Sequence, residues 1–442
     1  MTKKNTPEEK KKIDLFGLIQ KVDNSVEILS KSAYSVIKDW IPSGNYILNA
    51  CMSGDLFKAV PSGRITVLAG ESQTGKSYLA CSICREAQKR GYTPVYLDSE
   101  NAIDKDFVTR LGCDPDNFLI KQVSTIKETS TFIANLCKDL QEQVDNGAEV
   151  PKVIIVIDSL GQLTSDKERN DTLSGNTAAD FTKAKDIKAM FRVNTIPLAK
   201  LQIPLLCTNH VVANIGSFVS ATAMSGGSGI KFSGSITLNL ASVAKLDDKD
   251  NNKEAEKNLG ASNLKKNGVL VTAWPDKSRF CIPHKVKFQI PYFKKPNPYI
   301  GLEEYLNWDN AGIMQGKCLN EEEFQKLKPN EQLECYKFEF NGENKYAWPK
   351  KTMVRGVGLV CKHLGRQVTL QEFYSPICFT EEFMKYINEN IIHPLFELPR
   401  QDSFDDIAEI ERDLGLSDDE DIPENTTEAA AGQDLISTDM GV

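Results

Sequence analysis

Residues 64–77, RITVLAGESQTGKS, contain the pattern that decides the fold. The apolar run before the first glycine predicts a buried strand, and the residues after the lysine begin a helical stretch. Between them lies G-x-x-x-x-G-K-[ST], a loop whose backbone N–H groups surround the phosphates of a nucleotide. Its lysine is expected to reach the β- and γ-phosphates, and its serine to bind Mg²⁺. The motif therefore predicts a site for ATP and Mg²⁺ built from Gly70, Glu71, Ser72, Gln73, Thr74, Gly75, Lys76 and Ser77.

Two acidic residues follow predicted strands at the same edge of the sheet. Residues 153–157 are apolar and end in Asp158, which is the pattern of a central parallel strand whose carboxyl end faces the ligand. We expect Asp158 to hold Mg²⁺ through water. Glu100 lies just past a strand at 94–97 and is expected to orient or deprotonate the attacking water. A surface carboxylate without a catalytic role is the alternative for Glu100.

Predicted strands and helices alternate through the rest of the first 300 residues. Apolar runs at 64–69, 94–97, 153–157, 204–208 and 235–240 alternate with amphipathic stretches at 76–90, 126–144 and 178–202. This alternation predicts an α/β fold, in which helices flank a mostly parallel twisted sheet. Runs at 269–274 and 285–290 predict further strands beyond a charged excursion at 247–268. Residues 15–38 predict a helical arm, and the aromatic-rich residues 299–400 predict a smaller C-terminal lobe.

Composition excludes several classes of protein. The 442 residues are 40% hydrophobic and 26% charged, which argues against a fibre or a wholly disordered chain. No run approaches the roughly 18 apolar residues that a membrane span needs. The lysine-rich N-terminus lacks the apolar segment of a secretory signal. We therefore expect a cytoplasmic protein that contacts no membrane.

Charge is divided unevenly along the chain. Residues 401–442 contain 14 acidic residues and one basic residue, whereas residues 1–400 contain 47 acidic and 52 basic residues. A weakly basic body with an acidic tail is typical of a polyanion binder whose tail competes for the same surface. A disordered tail that only increases solubility is the alternative.

The cysteines give no clear metal signal. Eleven cysteines are scattered along the chain, and the CxxC pair, Cys81 and Cys84, has no second pair. The four histidines are also dispersed, whereas a zinc site needs four ligands. We interpret Cys81 and Cys84 as small apolar side chains on a helix, with a metal or redox role as the alternative.

With these motifs in this order, residues 41–290 resemble the RecA-type DNA recombinases, and within that family the branch found in T4-like bacteriophages. The resemblance implies a RecA-like P-loop ATPase core at 39–298. It is carried by segments that are longer and less generic than a phosphate loop: GESQTGKS (70–77), YLDSENAIDKDFVTRLGCDPDNF (96–118), VIDSLGQLTSDKE (156–168), DFTKAKDIKAMFRV (180–193), CTNH (207–210), AMSGGSGIKFS (223–233) and DKSRF (276–280).

The resemblance implies roles around the nucleotide. Glu100 corresponds to the glutamate that activates water, and Asp104 and Phe107 fall where the family contacts adenine. His210 ends the strand that senses the γ-phosphate; bacterial RecA has Gln there, and either protonation state of an imidazole can donate a hydrogen bond.

Two further cations are assigned catalytic roles by the same resemblance. Lys277 and Arg279 match the pair that reaches the neighbouring protomer's ATP, where cations neutralise developing phosphoryl charge. An exposed strand end is the alternative for this pair.

Two segments resemble the family's DNA-binding loops, at about 165–177 and 211–229. Both are rich in Gly, Ser, Asn and Thr, and both leave the sheet at the edge where ATP is expected. Small residues and backbone N–H groups suit sequence-independent contact with phosphates. The candidate DNA-binding residues are Lys167, Arg169, Lys183, Lys185, Lys188, Phe218, Ser225, Gly226, Gly227, Ser228 and Gly229. For each lysine, a solvated helix face is the alternative.

The sequence thus indicates an ATP-dependent recombinase that forms a helical filament on single-stranded DNA and exchanges strands with homologous duplex DNA. The resemblance implies that residues 1–38 contact the adjacent protomer, although a helix that caps its own core is an alternative. It also implies a single-strand DNA-binding protein and a recombination mediator as partners. Two other functions stay open: a hexameric helicase on the same fold, and a mediator or paralogue that binds DNA and ATP without exchanging strands.

Overall fold

The N-terminal arm contains a shorter helix than the sequence predicts. The computed structural model describes residues 13–23, 25–29, 32, 35–175, 182–213, 222–224, 230, 233–247, 266–292, 295–350 and 357–398. Helix α1 (Leu15–Val22) begins after Asp14, whose carboxylate accepts a hydrogen bond from the Gly17 N–H. The prediction that the helix continues to residue 38 is wrong. Asp23 has an extended backbone and its carboxylate accepts from the Ser25 N–H, so a turn replaces the next helical turn.

One large sheet with its connecting helices forms the centre of the protein. A two-stranded ladder precedes it, and the elements in chain order are β1 (Trp40–Ile41), α2 (Tyr46–Ser53), β2 (Val60–Pro61), β3 (Ile65–Gly70), α3 (Lys76–Gln88), β4 (Thr93–Asp98), α4 (Lys105–Arg110), β5 (Leu119–Gln122), α5 (Ile126–Asp145), β6 (Val153–Asp158), α6 (Asp166–Leu173), α7 (Lys183–Lys200), β7 (Leu205–Ala213), β8 (Thr222–Met224), β9 (Ile236–Asp247), β10 (Lys266–Ser278) and β11 (Val286–Pro291).

The strand order of the large sheet is β11-β10-β9-β3-β7-β6-β4-β5. All neighbours from β9 to β5 pair in parallel, whereas β10 and β11 extend the sheet in antiparallel fashion and β8 pairs with the end of β7. This confirms the predicted α/β fold with a mostly parallel sheet. Strands β9 and β10 flank the charged excursion and pair in antiparallel fashion, and residues 248–265 of it lie outside the described residues.

Apolar cores cover both faces of the sheet. Along β6, Ile154 and Val156 pack into one core with α3, whereas Ile155 and Ile157 pack into the other with α5 and α7. Alternate side chains of a strand point to opposite faces, so a strand buried on both sides must be apolar throughout. This explains why the central strands appear in the sequence as unbroken apolar runs.

The chain from Gly301 to Leu398 forms a second, antiparallel sheet and a group of short helices. The sheet order is β13-β14-β12-β15-β16. Phe383, Ile387 and Phe396 of the last helices belong to the same apolar core as α2 and α3, so a continuous core joins this region to the large sheet. The elements are α8 (Trp308–Ala311), β12 (Ile313–Leu319), α9 (Glu321–Gln325), α10 (Pro329–Gln332), β13 (Tyr336–Phe340), β14 (Glu343–Pro349), β15 (Gly358–Cys361), β16 (Arg366–Val368), α11 (Leu370–Phe373), α12 (Glu381–Ile387) and α13 (His393–Phe396).

Some predictions fall beyond what the structure describes. The acidic tail at 401–442, Phe218 and the cluster Ser225–Gly229 lie outside the described residues. Among the helices in the described ranges, none is both long and apolar enough to cross a membrane.

Candidate active site at the carboxyl ends of the parallel strands

Strand register brings the predicted catalytic residues to one edge of the sheet. Gly70, the last residue of β3, pairs with His210 of β7. Asp158, the last residue of β6, pairs with Asp98 of β4, and Glu100 lies two residues beyond that strand. Parallel strands share their carboxyl edge, so residues that are distant in sequence become neighbours here.

The loop after β3 is held closed by its own lysine. Lys76 Nζ donates hydrogen bonds to the carbonyl oxygens of Gly70 and Glu71, at 3.0 and 2.7 Å, and the Thr74 hydroxyl donates to the Glu71 carbonyl at 2.9 Å. Burial lowers the pKa of Lys76, although the charges of Glu100 and Asp158 act in the opposite direction. The ammonium therefore lies in a site where two carboxylates favour its charge and burial disfavours it.

Two glycines of this loop are required for different reasons, Gly75 by its left-handed backbone and Gly70 by the close approach of another strand's backbone. Gly75 has φ of +87°, and a Cβ there would lie 2.3 Å from Ile290 Cδ1. A Cβ on Gly70 would lie 2.7 Å from the carbonyl oxygen of Leu240. The 13-residue helix α3 begins directly after Gly75, with its N-terminal N–H groups at the loop. A glycine-rich loop at a helix N-terminus is a site that fits phosphate groups.

Asp158 is a buried carboxylate with both oxygens engaged. Its side chain is 1% exposed, Oδ2 accepts a hydrogen bond from the Tyr96 hydroxyl at 2.6 Å, and Oδ1 accepts from the Thr208 hydroxyl. Ser77, in the first turn of α3, supplies a hydroxyl near the same edge. A carboxylate and a hydroxyl are the hard oxygen ligands that Mg²⁺ prefers, so this donor set fits the predicted metal.

Glu100 is positioned by two neighbours. Its Oε1 accepts a hydrogen bond from the Ser159 hydroxyl and lies 2.9 Å from His210 Nε2. Burial raises the pKa of Glu100, but the hydrogen bonds from Ser159 and His210, with the charges of His210 and Lys76, outweigh it and hold the pKa below its ordinary value. The carboxylate is therefore ionised near neutral pH and can accept a proton.

Several residues of the site escaped the sequence analysis. Asp98 is fully buried, and its Oδ1 accepts hydrogen bonds from the backbone N–H groups of Glu100 and Ala102, at 3.0 and 3.4 Å. Asp98 Oδ2 accepts no hydrogen bond from any residue that the structure describes. The acid at the end of strand 94–97 was a signal for Asp98, because buried carboxylates at strand ends usually hold a loop or a ligand. Tyr96, Ser159 and Thr208 carried no such signal.

One of the two predicted adenine contacts, Phe107, lies beside the loop. Phe107 lines a cavity of about 1280 Å³ together with Gln73, Gly75 and Tyr292. No motif in the sequence indicates Tyr292. Asp104 is the N-cap of α4, where its Oδ1 accepts a hydrogen bond from the Phe107 N–H at 2.7 Å. Phe107 thus lies at the cavity wall. Asp104 stabilises the N-terminus of the helix that carries Phe107.

Lys277 and Arg279 lie at the other edge of the sheet. Ser278 pairs with Ile236, which pairs with Thr66, the second residue of β3. Gly70 is four residues further along β3, a distance of about 13 Å along a strand. Burial and the charge of Arg279 lower the pKa of Lys277. The pair is therefore not brought into the phosphate site of its own chain.

The candidate DNA-binding residues that the structure describes lie on two helices. Lys167 and Arg169 are exposed on α6, and Lys185 and Lys188 are exposed on α7. Lys183 is partly buried and donates a hydrogen bond to the Gly161 carbonyl at 2.6 Å, so it holds the segment that follows β6.

The predicted flexible excursion at 165–177 is in fact largely helical. Ser165 Oγ accepts a hydrogen bond from the Glu168 N–H at 2.9 Å and caps α6. The prediction that His210 ends its strand is wrong, because β7 continues to Ala213. The second excursion therefore begins as a hairpin, in which the end of β7 pairs with β8.

The CxxC pair lies in the core. Cys81 and Cys84 are buried on α3, and burial raises the pKa of both thiols well above the ordinary value. Raised pKa values disfavour the thiolate that binds metals and reacts with oxidants. These observations fit the interpretation of both residues as small apolar side chains.

Comparison with known proteins assigns the family. The model of the RecA N-terminal domain matches residues 19–269. The chain belongs to the RecA family.

Curated relatives match the same part of the chain. The recombination and repair protein of Enterobacteria phage T4 is 30% identical over 207 residues, which are 46% of this chain and 51% of that protein. RecA of Nautilia profundicola is 29% identical over 224 residues, which are 50% of this chain and 57% of that protein. The chain thus spans between half and three fifths of the length of these relatives. ATP binding and DNA binding are properties of this RecA family.

Proposed function

We propose that the protein is an ATP-dependent DNA recombinase. It polymerises as a helical filament on single-stranded DNA, aligns that strand with homologous duplex DNA and exchanges strands. Its further partners are a single-strand DNA-binding protein and a recombination mediator, in the cytoplasm. The observation that carries the proposal is the meeting of Lys76, Asp158, Glu100 and His210 at one sheet edge, from which β7 continues into a candidate DNA-binding loop.

The geometry supports hydrolysis of a nucleoside triphosphate. Lys76 and the N-terminus of α3 bind the phosphates, and Glu100 orients water and accepts its proton. Mg²⁺ held by Ser77 and Asp158 would supply positive charge to the phosphate oxygens. Asp98 fixes the backbone that carries Glu100, because it binds the Glu100 N–H at 3.0 Å.

The placement of Lys277 and Arg279 supports assembly with a second copy. These cations lie at the edge opposite Gly70, so they can reach a phosphate site only in a neighbouring chain. One edge of a protomer would then contact the opposite edge of the next. Such a head-to-tail contact is heterologous, and it generates a ring if the rotation closes and a helical filament if it does not.

Two exposed apolar surfaces are suited to this self-association. Helix α1 carries apolar side chains that are mostly exposed, among them Leu18 at 50% and Val22 at 89%. The edge strand β5 exposes Leu119 and Ile120 by more than half. Exposed apolar helices and strand edges are surfaces that bind another chain. We propose that both are covered by neighbouring protomers.

Few residues separate the candidate nucleotide site from the two candidate DNA-binding segments. His210 contacts Glu100, and the next three residues of β7 pair with β8 on the far side of the second candidate DNA loop. Asp158 is followed after seven residues by α6, which carries Lys167 and Arg169. A nucleotide that moves Glu100 or Asp158 would therefore shift both candidate DNA-binding segments.

The proposal is tested by combining a pairing assay with electron microscopy. The purified protein with ATP and Mg²⁺ should form helical filaments on single-stranded DNA and joint molecules with homologous duplex, and DNA should stimulate its ATPase. Closed rings that unwind duplex would instead indicate the helicase. DNA and ATP binding without joint molecules would indicate a mediator. A monomer that binds ATP and ignores DNA would overturn the proposal.

A further inference from the structure

The hydroxyl groups that contact Asp158 come from two strands that flank β6. Tyr96 is fully buried on β4, and its hydroxyl donates to Asp158 Oδ2 at 2.6 Å. Thr208 is fully buried on β7, and its hydroxyl donates to Asp158 Oδ1. Cys81 of α3 lies beside the Tyr96 hydroxyl. Asp158 is thus held from both sides of its own strand by residues that the proposed reaction does not otherwise use.

A buried carboxylate needs such donors. An ionised carboxylate without hydrogen bonds is costly to bury, and each of its oxygens has about two acceptor positions. One hydroxyl on each oxygen satisfies part of this demand and leaves an acceptor position on each oxygen for a water ligand of a metal. The two donors also fix the rotation of the carboxylate about its Cβ–Cγ bond, because each oxygen has its own partner.

The phenol is a permanent donor to Asp158. A tyrosine hydroxyl has one hydrogen, and a carboxylate is a stronger acceptor than a neighbouring thiol. The Thr208 hydroxyl likewise has one hydrogen, which it donates to the other oxygen of Asp158.

We infer that Tyr96 and Thr208 are positioning residues for Asp158, and that their hydroxyls set the Mg²⁺ concentration at which the protein binds nucleotide. This inference rests on the proposed function, because it takes the site to bind Mg²⁺ with ATP. Groups that orient a metal-binding carboxylate commonly change metal affinity by 10- to 100-fold. Because Asp158 is expected to act through water, we expect about a tenfold effect, at the lower end of that range.

The chain offers variants that remove single hydroxyls. Tyr96→Phe keeps the ring, which packs against Phe118 with ring centroids 5.7 Å apart. Thr208→Val keeps the shape of the side chain. Tyr92→Phe is the matched control, because the Tyr92 hydroxyl also donates to a carboxylate, Asp39 at 3.1 Å, but lies before the start of β4.

The test measures binding of a fluorescent ATP analogue as a function of Mg²⁺ concentration, with the melting temperature of each variant. We expect Tyr96→Phe and Thr208→Val each to raise the Mg²⁺ concentration for half-maximal binding about tenfold. Tyr92→Phe should leave this Mg²⁺ concentration unchanged, even if the melting temperature of Tyr92→Phe falls as much as that of the other two variants. A purely structural role of the hydroxyls would lower melting temperatures without this shift.

The outcomes separate this inference from the proposed function. If every folded variant among Tyr96→Phe and Thr208→Val binds the analogue with the wild-type Mg²⁺ requirement, the inference is wrong. If one variant fails to fold, the other decides, because both act on the same carboxylate. If the wild-type protein shows no Mg²⁺-dependent nucleotide binding, the proposed function is wrong, and the inference that rests on it is wrong as well.

Discussion

His210 Nε2 lies 2.9 Å from Glu100 Oε1, and the same oxygen accepts a hydrogen bond from the Ser159 hydroxyl. The candidate base is thus joined to β7, which runs on to a candidate DNA loop, and to the residue after Asp158. Glu100 is therefore the point at which the candidate nucleotide site, the candidate metal ligand and the candidate DNA-binding segments meet.

Glu100→Gln should separate binding from hydrolysis. The amide can still accept a hydrogen bond, but it cannot take a proton from water, so kcat for ATP should fall by 10²- to 10⁴-fold. Filament formation on single-stranded DNA should persist, which electron microscopy would show beside a steady-state ATPase assay. Glu142→Gln is the control, because Glu142 is an exposed carboxylate on α5. A Glu100→Gln protein that no longer binds ATP would contradict the role given to Glu100.

The pH dependence of hydrolysis should move when Ser159 is changed. The pKa of Glu100 is held below its ordinary value, so the base is ionised above that pKa and activity is lost as the pH falls through it. Ser159→Ala removes a hydrogen bond that lowers this pKa, so the acidic limb of the kcat profile should shift to higher pH. The comparison is made over the range in which circular dichroism shows both proteins folded. An unshifted limb would show that Ser159 does not tune the base.

The residues of the site that could be predicted from the sequence are those whose proposed role depends on their position at the end of a strand. Asp158 ends a strand of the parallel sheet, and Lys76 and Glu100 follow strands of it. His210 is the last residue of β7 that pairs with β3, so it lies at the same carboxyl edge, which parallel strands share. Tyr96 and Thr208 could not be found in this way. Each lies within an apolar run that reads as core, and only the pairing of β4 and β7 with β6 shows that their hydroxyls meet Asp158.

Errors in the prediction of helices have identifiable physical causes. Residues 165–177 are rich in small polar residues, a composition that predicts a loop, although Ser165 and Glu168 have the spacing of a capping box. The observed N-cap at Ser165 shows that local capping outweighed composition. In the N-terminal arm the structure contains less helix than the sequence predicts. The apolar spacing predicts a longer helix, but the turn at Asp23 and Ser25 ends it.

DNA binding should depend on the cations of α6. Lys167 and Arg169 are exposed, and each neutralised phosphate of a single strand contributes about 0.7 to the slope of log affinity against log salt. The double variant Lys167→Ala, Arg169→Ala should therefore reduce that slope by about 1.4. Fluorescence anisotropy with labelled oligonucleotide at several salt concentrations measures it. Lys138→Ala, on the exposed face of α5, should leave the slope unchanged. An unchanged slope in the double variant would remove α6 from the DNA interface.

Assembly should depend on the apolar face of α1. Leu18 is half exposed, so Leu18→Asp removes little packing within the protomer and should not change its melting temperature. In a filament the same carboxylate would be buried without a partner, which is costly, so filaments should be lost in electron micrographs. Gln20→Asp adds the same charge at another exposed position of α1 and should preserve assembly. If filaments of Leu18→Asp look normal, α1 does not lie in the protomer contact.

The position of Arg279 predicts complementation between two inactive proteins. Lys76→Ala lacks the lysine proposed to bind phosphate, and Arg279→Ala lacks the cation at the opposite edge of the sheet. If Arg279 acts on the neighbouring chain's ATP, a mixed filament of the two variants contains some active interfaces. At these interfaces the intact phosphate loop of an Arg279→Ala protomer faces the intact arginine of a Lys76→Ala protomer. In a random equal mixture these are about a quarter of all contacts, so roughly a quarter of the wild-type ATPase should return. Each variant alone should stay inactive on the same DNA. If the mixture is as inactive as its components, Arg279 does not act across the protomer interface.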